Sequence, residues 1–84
     1  MLKFRDFTKE DWYGFAGCES ETPQIAEDDN YTYVLDGSSL CVVNTTLIWG
    51  ADFPTAAAAA LVAQAIHAGH APRVFLDEAS GSCV

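Results

Sequence analysis

Between Glu10 and Pro72 the sequence contains no Lys and no Arg. The whole 84-residue chain has four basic residues (Lys3, Arg5, Lys9 and Arg73) against twelve acidic ones, for a net charge of −8. Direct nucleic-acid binding needs a basic stripe, so this balance excludes it. An anionic membrane surface is repelled for the same reason. Cysteine is scarce: Cys18, Cys41 and Cys83 are odd in number and form no CxxC, which points to reduced thiols and a cytoplasmic protein. Long apolar runs are missing too. The longest, 56–63, falls well short of the roughly 20 residues that cross a bilayer. Met1 to Phe7 alternates charged and apolar residues, so no secretion signal is read there. Without one, the sequons Asn30-Tyr31-Thr32 and Asn44-Thr45-Thr46 read as chance. There is no glycine-rich phosphate loop, no GxSxG and no HExxH.

What is present is globular. Half the residues are hydrophobic and ten are aromatic. The length fits one domain over 1–84, with 77–84 as a frayed polar tail.

Thr8-Lys9-Glu10-Asp11 is a capping box, and Phe7 with Trp12 is a hydrophobic staple around it. A short helix is predicted over about 9–16, with Gly17 as its C-cap. Pro23 argues against helix in the acidic stretch 18–30, where Gln24 to Ala26 is expected as a short edge strand. Asp36-Gly37 between β-forming runs signals a hairpin. A turn centred there pairs Tyr33 with Leu40 and puts Tyr31, Tyr33, Leu35, Leu40 and Val42 on the core face. The β-rich run continues to Trp49, as one bent strand or two, and Gly50 ends it. A second helix is expected at about 55–68, opened by Pro54 with Asp52 or Thr55 as cap and stopped by Gly69. Its buried side is predicted as Ala58, Leu61, Val62, Ala65 and Ile66. Arg73 to Leu76 reads as a last strand. The expected fold is α+β: a mostly antiparallel sheet of three or four strands, a short N-terminal helix, and a longer Ala-rich helix packed on the sheet.

Catalysis finds little support. Asp28-Asp29 and Glu10-Asp11 are sequence neighbours in solvated segments, with no periodicity to hold them in a pocket. His67 and His70 are three apart, but Gly69 breaks the helix between them and no nearby ligand completes a zinc set, so no metal and no cofactor is assigned. His70 suits the helix C-terminus better. Cys41 reads as a small buried strand residue. Cys18 lies among acids that raise a thiol pKa, which leaves a Cys–His nucleophile unsupported. The chain is expected not to be an enzyme.

Unpaired acids attract basic protein surfaces. The candidate partner-binding set is Glu10, Asp11, Glu19, Glu21, Glu27, Asp28, Asp29 and Asp36, eight acids in a window of 27 residues. They share one edge if the first helix, the acidic loop and the hairpin tip lie side by side, with Trp12 or Tyr13 adding aromatic contact. Excess acid that only keeps a small domain soluble is the plainer account of the same residues. In size, charge and element order the chain resembles small acidic phage-encoded anti-CRISPR proteins. That resemblance implies an inhibitor that binds a basic nucleic-acid-handling host protein, such as a CRISPR-Cas effector subunit, and blocks it by electrostatic or steric occlusion as a DNA mimic. The alternative is a non-catalytic structural or assembly module, a virion accessory or self-associating subunit. It is suggested by the weakly polar outer face of the second helix, with Trp49 and Phe53 nearby. A homodimer is compatible with both.

Overall fold

Asp36-Gly37 does sit at a hairpin, but the turn is one residue further on. In the computed structural model, which describes residues 1–72, Asp36 pairs with Ser39, Leu35 with Leu40, Val34 with Cys41 and Tyr33 with Val42. The two turn residues are therefore Gly37 and Ser38. Gly37 has φ 64° and, among the described residues, no non-glycine residue has positive φ, so the turn is of the type with glycine at its first central position. The predicted pairing is shifted by two in register, which preserves the parity of every side chain. Tyr33, Leu35, Leu40 and Val42 are all buried on the core face as expected, with Tyr31 partly buried beside them.

Around this hairpin the described residues form a five-stranded antiparallel meander in sequence order. The strands are β1 (Arg5–Asp6), β2 (Gln24–Glu27), β3 (Thr32–Asp36), β4 (Ser39–Val43) and β5 (Ile48–Asp52). The α+β reading holds, with more strands than predicted. The extra strand is β1, two residues long, and it displaces β2 from the edge position expected for it. The run after the hairpin is two strands, not one. Asn44 turns the chain by accepting from the backbone N–H groups of Thr46 and Leu47. Gly50 lies inside β5 instead of ending it. The strand expected at Arg73 to Leu76 and the tail 77–84 lie outside the described residues.

Helix α1 (Lys9–Gly14) begins with the predicted capping box: the Asp11 N–H donates to Thr8 Oγ1 and the Thr8 N–H to Asp11 Oδ2. The staple is present as an edge-on contact of Phe7 and Trp12, ring centroids 5.2 Å apart. Phe15 is the C-cap, not Gly17, and the helix is shorter than predicted.

Helix α2 (Ala56–His67) is capped by Thr55, whose hydroxyl accepts from the Ala58 N–H. Pro54 therefore precedes the cap, and Asp52 remains in β5. Its C-terminus closes as a Schellman motif, Gly69 N–H to Ile66 O and His70 N–H to Ala65 O, with Gly69 at φ 120°. The helix packs on β3 and β4 through a stripe that shares Ile66, and partly Ala58 and Val62, with the predicted one but is turned away from Leu61. Ala59, Ala63 and Ile66 are buried, whereas Leu61 is 71% exposed. Small residues allow the helix axis to approach the sheet closely, so the core beneath is filled by the large strand side chains Trp49, Tyr33, Leu40 and Val42. Each of these contributes roughly 1.5–3 kcal/mol by burial. Trp49 and Phe53 belong to this core, so neither lies on the outer face of the helix. The Gln64 amide ties the N-terminus down by bonding both the N–H and the C=O of Leu2 at 3.0 Å.

Candidate acidic interaction surface

The register divides the carboxylates between two ends of the sheet. At the hairpin-tip end, Asp36, Ser39 and Asp52 lie side by side across β3, β4 and β5. Asp6 and Gln24 pair at the same end, and the Gln24 amide donates to Asp6 Oδ1 at 3.2 Å. The acidic loop before β2 folds back onto this tip because Asp36 accepts from the backbone N–H of Glu19 at 2.8 Å and of Ser20 at 2.6 Å. Glu19 and Glu21 are thereby brought to the tip, and both are exposed. The Ser39 hydroxyl donates to Asp52 in the next strand. Four carboxylates, Glu19, Glu21, Asp36 and Asp52, thus gather at the tip, while Asp6 shares that end of the sheet from edge strand β1 and from the face turned toward α2. Of these, Asp6 and Asp52 fall outside the predicted set. Their signal is the cross-strand register, which the sequence places two off at the hairpin.

Glu27, the last residue of β2, and Asp28 and Asp29 in the β2–β3 turn stand at the opposite end. The length of β3 separates them from Asp36 by about 13 Å. Asp28 is committed to the fold. Its Oδ1 accepts from the N–H of Asn30 and of Tyr31, and its Oδ2 from the Tyr33 hydroxyl at 2.6 Å and from His67 Nδ1 at 2.9 Å. Partial burial alone would push this carboxyl up. The bonds from Tyr33, His67, Asn30 and Tyr31 outweigh burial and lower its pKa to about 2. Glu27 and Asp29 are exposed.

Glu10 and Asp11 lie in the first turn of α1. Asp11 is taken up by the capping box and by Arg5, whose Nη1 approaches its Oδ2 to 2.6 Å. The hydrogen bonds from Arg5 and then from the Thr8 N–H hold the Asp11 pKa down at about 2. Glu10 is exposed. Of the eight predicted acids, the structure therefore leaves Glu10, Glu19, Glu21, Glu27 and Asp29 exposed, and uses Asp11, Asp28 and Asp36 in internal bonds. They do not form one continuous edge: Glu19, Glu21 and Asp36 gather at the tip, and Glu27, Asp28 and Asp29 are remote from it. Trp12 is half-buried against Phe7, and Tyr13 is 79% exposed on α1.

Asp28 and His67 form the carboxylate–imidazole pair that orients a general base. Among the described residues no hydroxyl or thiol is hydrogen-bonded to His67, and no three metal-ligating side chains cluster. No helix among them is long and apolar enough to cross a membrane. Compared with known protein families, curated protein sequences and solved structures, the chain matches none.

Proposed function

We propose that this protein is a non-catalytic, phage-type inhibitor that binds a basic nucleic-acid-handling host protein, with a CRISPR effector as the target class suggested by its resemblance to acidic anti-CRISPR proteins. The observation that carries the reading is the tip cluster: Glu19, Glu21, Asp36 and Asp52 at one end of the sheet, in a chain with no Lys or Arg from residue 10 to residue 72. Such a field speeds encounter with a basic surface, and charge-assisted hydrogen bonds then fix orientation. Two of the four carboxylates are already held by the protein's own hydrogen bonds, Asp36 by backbone N–H groups and Asp52 by Ser39, so little ordering is needed on binding. Occlusion of the target's nucleic-acid site follows from the shared preference of that site for negative charge.

The test is capture of basic host proteins on tagged protein, eluted by a salt gradient. A nucleic-acid-binding protein that elutes at moderate salt is expected. The combined change Glu19→Gln, Glu21→Gln and Asp52→Asn should release it, whereas Glu27→Gln with Asp29→Asn should not. An affinity independent of salt sinks the electrostatic reading.

The assembly-module alternative draws on one specific observation, Leu61 at 71% exposure on the outer side of α2. Light scattering of the wild type and of Leu61→Lys separates the two readings. A stable oligomer dissolved by Leu61→Lys, with no affinity for basic proteins, favours assembly.

A further inference from the structure

The sheet face turned away from α2 carries two adjacent cross-strand rows. Val34, Cys41 and Gly50 make an apolar row, and Asp36, Ser39 and Asp52 make the polar row next to it. Phe15, Gly17 and Cys18 stand beside both rows, and together these residues line one open cleft of about 420 Å³. The depression exists because Gly50 places no side chain opposite Cys41. Among the described residues, the nearest atom to a Cβ there would be the Leu40 carbonyl oxygen, at 3.7 Å. Among the described residues no Lys or Arg lines the cleft.

We infer that this cleft receives a single arginine side chain from an extended segment of a basic partner protein. The inference rests on the inhibitor reading above, because it presumes such a partner, and it adds the place and the residue. The floor is apolar and open, which suits the aliphatic stem of a long basic side chain. The Phe15 ring, itself held 6.1 Å from Phe7, offers a wall on which a guanidinium plane stacks. At the end of the floor stand two carboxylates from different strands, Asp36 and Asp52. Both are fixed before any ligand arrives, Asp36 by the N–H groups of Glu19 and Ser20, and Asp52 by the Ser39 hydroxyl. The planar, five-donor fork of arginine can meet both, whereas a lysine ammonium brings one compact, strongly hydrated charge and no stacking plane. An apolar residue in the same place would leave the two acids desolvated and unpaired, and an acidic one would be repelled.

The experiment is an amide-resolved NMR titration of the full chain with acetyl-Gly-Arg-Gly-amide and, separately, its lysine counterpart. The arginine peptide is expected to move the resonances of Phe15, Cys18, Cys41 and Gly50 saturably, and to bind about five-fold more tightly than the lysine peptide. Gly50→Val, which fills the floor with a strand-favouring side chain, should abolish those shifts. So should Asp52→Asn, which leaves the floor untouched and serves as a second check if Gly50→Val alters the spectrum globally. Equal responses to both peptides, confined to the acids and insensitive to Gly50→Val, overturn the cleft while leaving a general attraction for basic proteins intact. No peptide response alongside salt-sensitive capture of a basic protein has the same meaning. Failure to capture any basic protein overturns the inhibitor reading, and the titration still judges the cleft by itself.

Discussion

His67 Nδ1 lies 2.9 Å from Asp28 Oδ2, which ties the last turn of α2 to the β2–β3 turn 39 residues earlier in the chain. The same carboxylate oxygen accepts the hydroxyl of Tyr33, a residue with no exposed surface. One ionised side chain thus joins helix, turn and core. Replacing it by Asn is expected to cost about 1–3 kcal/mol, and Tyr33→Phe about 1 kcal/mol, both measurable by urea unfolding. The contribution of Asp28 also depends on pH with a definite sign. Its folded pKa, about 2, lies below the ordinary 3.8, so the stabilisation is fully present above the ordinary value and is lost as pH falls toward 2. The stability difference between wild type and Asp28→Asn should therefore shrink below about pH 4. A difference unchanged down to about pH 2.5 would contradict this assignment.

Leu61 and Ala63 are two positions apart on α2 and behave oppositely. Leu61→Gln should change stability by less than about 0.5 kcal/mol, since the side chain is solvated. Ala63→Leu should destabilise by about 1–3 kcal/mol, because Ala63 has no exposed surface and faces the sheet. Thermal unfolding of the two variants tests the orientation of the helix directly.

The two thiols in the cleft are expected to alkylate slowly at neutral pH. Burial first, and then the charge of Asp36, raises the Cys18 pKa, and burial raises that of Cys41. A raised pKa means less thiolate and a slower reaction that accelerates as pH rises. Asp36→Asn should speed iodoacetamide labelling of Cys18 and leave Cys41 nearly unchanged, as read by peptide mass mapping. Equal acceleration at both would point to a general loosening of the loop.

Thr8→Ala removes the hydroxyl half of the capping box and should cost about 1 kcal/mol. Its effect is expected to be local. Amide hydrogen exchange should quicken in α1 and at Phe15, whose N–H donates to Asp11 O, while β3 and β4 remain protected.

Much of the fold was legible locally. Thr8 with Asp11, Phe7 with Trp12, Thr55 before a run of alanines and Gly69 after His67 each act within a few residues, so spacing alone reveals them. The alternation in Tyr31 to Leu35 and Leu40 to Val42 survived even a wrong turn position, because a shift of two in pair register keeps every side chain on its face. The buried side of α2 was only partly legible: Ile66 is buried as predicted and Ala58 and Val62 pack against the core, but Leu61 is exposed. A helix made largely of alanine has little amphipathic contrast, and Leu61 turned the predicted stripe away from Ala59 and Ala63. Depth of approach to the sheet decides the matter, and small side chains win where the strands already supply Trp49 and Tyr33.

The candidate surface divides in the same way. The sequence by itself determined the sign of the charge and the absence of basic residues across the central stretch, because composition survives any folding. It also determined that Cys18 sits among acids. Only the tertiary structure decided that Asp28 is an internal fastener and Asp36 a clasp for the loop at Glu19 and Ser20. It also brought Asp6 and Asp52, 46 positions apart in the numbering, to one end of the sheet. Those outcomes depend on which backbone N–H groups and which strands come to lie beside each carboxylate. That is a property of register and closure, and no local spacing encodes it.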